Sequence, residues 1–164
     1  MKYKTLAFIV SLMLLSCNEN NCTMENSVLC RYAFIDSETQ KETALNDTLS
    51  IFTKAGKRIL NRATGINGMQ LPMSYSLPTD TLLLRFTSTS GSATDTLCIS
   101  HTNLPHFESL ECGTSFFHKI THTYINRRKP TPECPTAIDS ILLVNPNVNY
   151  DQTINLHLYL SVLH

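Results

Sequence analysis

The chain has little charge, few glycines and no tryptophan. Only 16% of its residues are charged, 13 basic residues balance 13 acidic ones, and the formal net charge is zero. A neutral chain lacks the basic surface that binds nucleic acid or carries a polybasic membrane patch, which argues against both partner classes. The five glycines form no phosphate-binding loop, and the sequence contains no Gly-x-Ser-x-Gly nucleophile motif.

An apolar run long enough to cross a bilayer is also missing. Two lysines among the first four residues are followed by a short, largely apolar run from Leu6 to Leu15. A transmembrane helix needs about 20 apolar residues, whereas a basic start and a short apolar run are typical of a secretory signal peptide. We therefore predict a cleaved signal peptide over residues 1–16.

The end of this leader resembles the lipobox of bacterial lipoproteins. It reads Leu14-Leu15-Ser16-Cys17, with a small residue directly before a cysteine. In a lipobox the small side chain admits the peptidase and the thiol carries the lipid; Leu15 is bulkier than the residue usual at its position. The resemblance implies that Cys17 is lipidated and that residues 17–27 form a flexible tether. It also implies a cell-envelope protein, anchored in the outer membrane with the leaflet left open.

Beyond the tether, short runs of alternating apolar and polar residues are bounded by Gly, Pro, Asn and Asp. In the clearest run, every second residue from Ile154 to Val162 is aliphatic. Such alternation is typical of a strand that covers a core with one face. Eight or nine such runs predict an all-β domain over residues 28–164, an antiparallel immunoglobulin-like β-sandwich.

Two segments between these runs suggest specific structures. Asn67-Gly68 predicts a tight hairpin whose two turn residues have positive φ angles. Three prolines between Arg127 and Pro135 predict a surface loop, because proline cannot join the middle of a sheet. We interpret the basic residues Arg127-Arg128-Lys129 of this loop as solvated, with contact to an anionic partner as the alternative.

Several short segments together resemble one known family. They are Cys22, Phe34-Ile35-Asp36, Leu71-Pro72, Ile138-Asp139-Ser140-Ile141 and, above all, the segment from His101 to Gly113. These segments resemble small lipoproteins of Bacteroidales that share the domain of unknown function 6452. The resemblance implies a fold and an envelope location, and it brings no activity and no ligand.

Five cysteines follow Cys17, at positions 22, 30, 98, 112 and 134. Thiols outside the cytoplasm tend to pair, and five can form at most two bridges. Strand alternation points Cys30 into the core and Cys98 outward, so these two are not expected to pair. We predict a Cys22–Cys112 disulfide, because both residues lie in segments that can adapt, and the pairing of the other three stays open.

Three spacings that could suggest a metal ion are interpreted as structural. Cys98-x-x-His101 lacks the second ligand pair of a zinc site. His118 and His122 share a predicted strand face, but they lie about 13 Å apart on an extended strand. The Asn-rich segment 145–151 lacks the glycine and glutamate of a calcium loop and predicts a turn. No metal and no cofactor is therefore predicted.

Four tripeptides share the pattern Asp, Ser or Thr, aliphatic, and they begin at Asp47, Asp80, Asp95 and Asp139. The pattern resembles the O-glycosylation signal of exported Bacteroidota proteins. It makes the following hydroxyls candidate glycan sites: Thr48, Thr81, Thr96 and Ser140. The alternative is that Asp favours turns and Thr opens strands. All four hydroxyls are expected at strand starts, and as glycan sites they would face solvent.

No residue can be given a catalytic role. A Cys112–His106 pair could supply nucleophile and base, but the predicted disulfide would remove the thiolate. We expect a non-catalytic binding or structural role, with an envelope protein or a glycan as partner. The alternative is a small envelope hydrolase or an accessory subunit of a glycan-handling complex. A deep pocket with titratable groups would favour the enzyme, and an apolar or aromatic patch would favour binding.

Overall fold

The computed structural model describes residues 28–109 and 113–163, and these residues form ten β-strands and no helix. The strands are β1 (Leu29–Asp36), β2 (Thr48–Thr53), β3 (Arg58–Ala63), β4 (Gly68–Pro72), β5 (Thr79–Thr87), β6 (Ser92–Ser109), β7 (Gly113–Ile125), β8 (Thr136–Leu143), β9 (Asn147–Val148) and β10 (Leu156–Val162). The predicted all-β class is confirmed. The prediction of eight or nine strands missed β9, because two residues are too few to show an alternation. It also missed β4, whose first residue was predicted to be part of a turn. Within the described ranges there is also no helix of membrane-spanning length and hydropathy.

The strands form two sheets packed face to face. One has four strands in the order β4-β1-β10-β8, and the other has six in the order β3-β2-β5-β6-β7-β9. All neighbouring strands are antiparallel except β1 and β10, which run parallel. The β-sandwich is thus confirmed, with one parallel pair that was not predicted. Alternation shows which face of a strand is buried, but it carries no information on the direction of the neighbouring strand.

The core lies between the two sheets and follows the predicted alternation. Leu156, Leu158 and Leu160 of β10 are buried, while the residues between them are half-buried. Cys30 is buried and Cys98 is half-buried between two buried neighbours, so the inward and outward directions predicted for these cysteines are confirmed.

Gly68 does not form the predicted hairpin. β3 and β4 belong to different sheets, and neither Asn67 nor Gly68 has a positive φ angle. Gly68 instead opens β4 and pairs with Ala33 of β1. A Cβ atom at this position would collide with the backbone oxygen of Tyr32. Glycine is needed here because two strands approach each other closely. In a sequence, a glycine required for such an approach cannot be distinguished from a glycine required for a turn.

The two ends of the sandwich differ in shape. β5 accompanies β6 only as far as Ser100, after which β6 pairs with β7 alone. We call residues 103–109 and 113–118 the arm. The arm projects from the end at which β1 and β5 begin, and we call it the arm end. The far end holds the turn at residues 88–91 and the start of β8.

Candidate functional site

Polar side chains from three neighbouring strands meet inside the sandwich at the arm end. Asp80 comes from β5, His101 and Asn103 from β6, and His118 from β7. His101 and His118 are 4% and 3% exposed. Buried polar side chains require hydrogen-bond partners. The contacts within this group, which we call the histidine cluster, supply a partner to Nδ1 of each ring.

Asn103 joins the two histidines of the cluster. Its Oδ1 lies 2.8 Å from Nδ1 of His101 and 2.8 Å from Nδ1 of His118. An amide oxygen only accepts hydrogen bonds, so these contacts place a proton on Nδ1 of each ring. Its Nδ2 donates to the backbone oxygen of Leu77 at 3.4 Å. Asn103 therefore fixes both rings and also holds the loop that leads into β5.

The other nitrogen of His101 faces a carboxylate. Its Nε2 lies 3.2 Å from Oδ2 of Asp80, without the alignment of a hydrogen bond, so the contact is electrostatic. The same oxygen accepts a hydrogen bond from the backbone N–H of Ser74 at 2.9 Å. Burial lowers the pKa of His118, and the charge of His101 lowers it further, whereas Asp80 opposes both effects. The neutral form of the His118 ring is therefore favoured.

A β-bulge in β7 separates the buried His118 from the exposed His122. Ser100 pairs with His122 and His101 pairs with Ile120, which leaves Thr121 as the extra residue. His118 is consequently buried and His122 is exposed. The prediction that both share a strand face is wrong, because one inserted residue reverses the alternation beyond it. Their interpretation as packed or solvated residues agrees with this placement.

The facing strand β1 contributes Cys30 and Tyr32. Burial raises the pKa of Cys30 to about 12; a hydrogen bond with Tyr32 opposes the rise and Asp80 adds to it. The thiol is thus protonated near neutral pH, and a protonated thiol is a poor nucleophile. Cys30, Cys98 and Cys134 form no disulfide. In the part of the chain that the structure describes, no three His, Cys, Asp or Glu residues are grouped to hold a metal ion.

An open cleft of about 500 Å³ lies beside Asp80. It is bounded by the start of β5, by the turn at Lys54-Ala55 after β2, and by the loop residues Ser74 and Leu77. Aliphatic carbon forms most of these walls, and Lys54 and Asp80 supply charged groups. The volume lies within the range of small-molecule sites, about 300–1,000 Å³.

Exposed apolar side chains surround this end of the molecule. We call four of them the apolar rim: Tyr75, Leu77, Leu104 and Phe107. The Tyr75 ring stacks on Phe116 of the arm, with 5.7 Å between centroids. The aromatic surface that would favour binding is therefore present, on a projecting arm and its neighbouring loop rather than on a flat sheet face.

Arg128 of the proline-rich loop is a structural residue. Its Nε donates to Oδ1 of the buried Asp95 at 2.9 Å, and its Nη2 donates to the backbone oxygen of Thr136. Oδ2 of Asp95 accepts from the backbone N–H of Ile138 at 3.0 Å. The pair joins β6 of one sheet to β8 of the other. The surface loop itself is confirmed, but the prediction of a solvated Arg128 is wrong, because Asp95 lies 33 residues away and gives no local signal.

The Asn-rich segment is the predicted turn. The side-chain oxygens of Asn145, Asn149 and Asp151 each accept a hydrogen bond from a backbone N–H two residues further on. Asn155, for which no role was predicted, is buried beside this turn. Its Nδ2 donates to the backbone oxygens of Asn145 and Asn147, and its Oδ1 accepts from the backbone N–H of Arg31.

The four candidate glycan sites lie on strands and are half-buried. Thr48 begins β2 and Thr81 is the third residue of β5, whereas Thr96 and Ser140 lie within β6 and β8. The expected position at a strand start is therefore wrong for Thr96 and Ser140. Asp80 and Asp95 of the same tripeptides have structural contacts, which supports the structural alternative at these two places. Glycosylation itself stays a prediction.

Residues 1–27 and 110–112 lie outside the described part of the chain, and the predictions for the signal peptide, Cys17, Cys22 and Cys112 fall within them.

Asp80 and Asn103 were not identified from the sequence as residues of the site. The spacing His101-x-Asn103 places both residues on one strand face and could have indicated Asn103. The contact of Asn103 with His118 could be recognised only from the register of β6 and β7.

Comparison with known proteins gives one match. No curated protein matches the chain, and no solved structure does. The model of a family described as "Family of unknown function (DUF6452)" matches residues 48–160, which contain most of the strands, the cleft and the histidine cluster. This match covers more than half of the sequence, and the chain therefore belongs to that family of unknown function.

Proposed function

We propose that the chain is a lipid-anchored protein of the Bacteroidales cell envelope that binds a partner at the arm end and catalyses no reaction. The observation that supports this proposal is the position of Asn103. In a hydrolase built on an Asp–His pair, a serine or cysteine nucleophile contacts the second nitrogen of the histidine. In this chain that nitrogen of His101 contacts an amide oxygen, which has no nucleophilic chemistry.

The histidine cluster supports binding by giving the cleft a rigid wall. Asp80 is held by His101 and by the backbone of Ser74, and Asn103 holds Leu77. Side chains fixed in this way lose little freedom when a ligand binds, so less of the binding free energy is spent on ordering them. The aliphatic walls favour a ligand with an apolar body, either a small molecule or the side chains of an envelope protein.

Filling the cleft should prevent the binding of an apolar probe. Ala55 is exposed at the cleft wall, so Ala55→Trp places an indole in the cleft without disturbing the core. We expect wild-type protein to bind N-phenyl-1-naphthylamine with enhanced probe fluorescence, and the variant to bind it about tenfold more weakly. Ser90→Trp, in an exposed turn at the far end, is the matched control and should keep the wild-type affinity. Equal affinities for the two variants, or no binding by wild type, would contradict the proposal.

Cys17→Ala should release the protein from membranes. The lipid on Cys17 is the proposed attachment, and a leader that has been cleaved cannot replace it. In fractionated cells we expect the wild-type protein with the membranes, labelled by radioactive palmitate, and the variant unlabelled in the soluble fraction. Cys22→Ala removes a thiol from the proposed tether and should stay labelled and membrane-bound. A palmitate-labelled Cys17→Ala protein would show that the lipobox interpretation is wrong.

A further inference from the structure

We propose that the apolar rim rests on the surface of the bilayer that holds the anchor, so that the arm end faces the membrane. This inference depends on the proposed lipid at Cys17. It adds an orientation and a second, non-covalent contact between the protein and phospholipid.

The first argument is the distribution of exposed apolar side chains. The described ranges contain eight large hydrophobic residues that are exposed. Six of them lie at the arm end or at the edge of β8 next to it: Tyr75, Leu77, Leu104, Phe107, Leu142 and Val144. Single exposed apolar residues are normal on a protein surface, whereas a concentration of them marks an interaction surface.

The second argument is the place where the tether joins the sandwich. β1 begins at Leu29, which pairs with Pro72, and the loop with Tyr75 and Leu77 follows directly. Cys17 precedes Val28 by eleven residues, and a chain of this length spans about 40 Å at most. A lipid on Cys17 therefore keeps the apolar rim close to the bilayer, which gives even a weak contact a high effective concentration.

The third argument is the chemistry of the arm. Residues 103–107 and 113–118 include no Lys, Arg, Asp or Glu, and Tyr75 combines an aromatic ring with a hydroxyl group. Aromatic side chains of this kind favour the zone between headgroups and acyl chains. Glu108 follows Phe107 in the sequence, and carboxylates are costly in hydrocarbon. The contact is consequently shallow, and it requires no anionic lipid because the arm offers no positive charge.

The absence of tryptophan allows a direct measurement of this orientation. Phe107→Trp places a single indole in the apolar rim. Tyr124→Trp places one near the other end of β7, opposite Cys98 and away from the arm. The two native side chains are 59% and 57% exposed, so both replacements should fold. Each full-length lipoprotein is purified from membranes and reconstituted into vesicles of phosphatidylethanolamine and phosphatidylglycerol. The vesicles also contain phosphatidylcholine brominated in the upper part of one acyl chain.

We expect about twofold bromine quenching and a blue-shifted emission for Phe107→Trp, and unchanged emission for Tyr124→Trp. The quenching should persist in high salt, since it arises from apolar contact rather than from charge. If the protein floats with the vesicles but Phe107→Trp is not quenched, or is quenched no more than Tyr124→Trp, the orientation is wrong while the anchor stands. If the protein does not float with the vesicles, the anchor itself is wrong, and the inference fails with it.

Discussion

Asp95→Ala should lower the free energy of unfolding by about 3–5 kcal/mol, because it leaves the Arg128 guanidinium without its carboxylate. Asp95 is fully buried, and its two oxygens accept hydrogen bonds from Arg128 and from the backbone N–H of Ile138. Alanine would leave both donors unsatisfied at the contact between the two sheets. Urea denaturation of the purified protein, followed by circular dichroism, measures the change.

Asp139→Ala is the matched control for this experiment. Asp139 is exposed on β8, next to the residue whose N–H contacts Asp95, and its loss should change the unfolding free energy by less than about 0.5 kcal/mol. Arg128→Ala should be destabilising as well, and the double variant should lose much less than the sum of the two single losses. Additive losses would show that Asp95 and Arg128 do not act as a pair.

Gly68→Ala should cost about 1–3 kcal/mol of unfolding free energy, although the glycine has an ordinary φ angle. The new methyl group would meet the backbone oxygen of Tyr32, and a backbone atom cannot move aside as a flexible side chain can. β1 and β4 would have to separate, which weakens the pairing of Gly68 with Ala33 and of its neighbours. Thermal and urea unfolding of the purified variant give the size of the loss.

Gly56→Ala provides the comparison for Gly68. Gly56 has a φ angle of 82°, but an added Cβ would have no neighbour within 4 Å. Its replacement should cost about 1 kcal/mol, from backbone strain alone. The order of the two losses is the decisive result: a larger loss at Gly56 than at Gly68 would contradict the close approach of β1 and β4.

Local alternation was enough to predict the strands and the buried faces. Leu156, Leu158 and Leu160 form the core face expected of the run from Ile154 to Val162. β2, β4, β5 and β10 bury alternate residues, so the period of two in their sequences reflects burial. β1 departs from this pattern with four consecutive buried residues, and β3 departs from it with none. The all-β class and the sandwich follow from this pattern without any knowledge of strand order.

The features that alternation missed depend on which strands are neighbours. The bulge at Thr121 reverses the faces of β7, and it is visible only in the register with β6. Asn103 and His118 meet across those two strands, and Asp95 of β6 meets Arg128 of the loop before β8. Such contacts depend on residues far apart in the sequence, and neither partner carries a signal that identifies the other.

The parallel pair of β1 and β10 makes completion of the four-stranded sheet depend on β10, which is far from β1 in the sequence. Arg31 and Asn155, which exchange hydrogen bonds at the start of that pair, are 124 residues apart. Until residues 156–162 have been made, β8 has no neighbour in its sheet and β1 has only β4. Contacts between distant residues form slowly. The export proposed above requires an unfolded chain, and a four-stranded sheet that closes only with β10 favours that state.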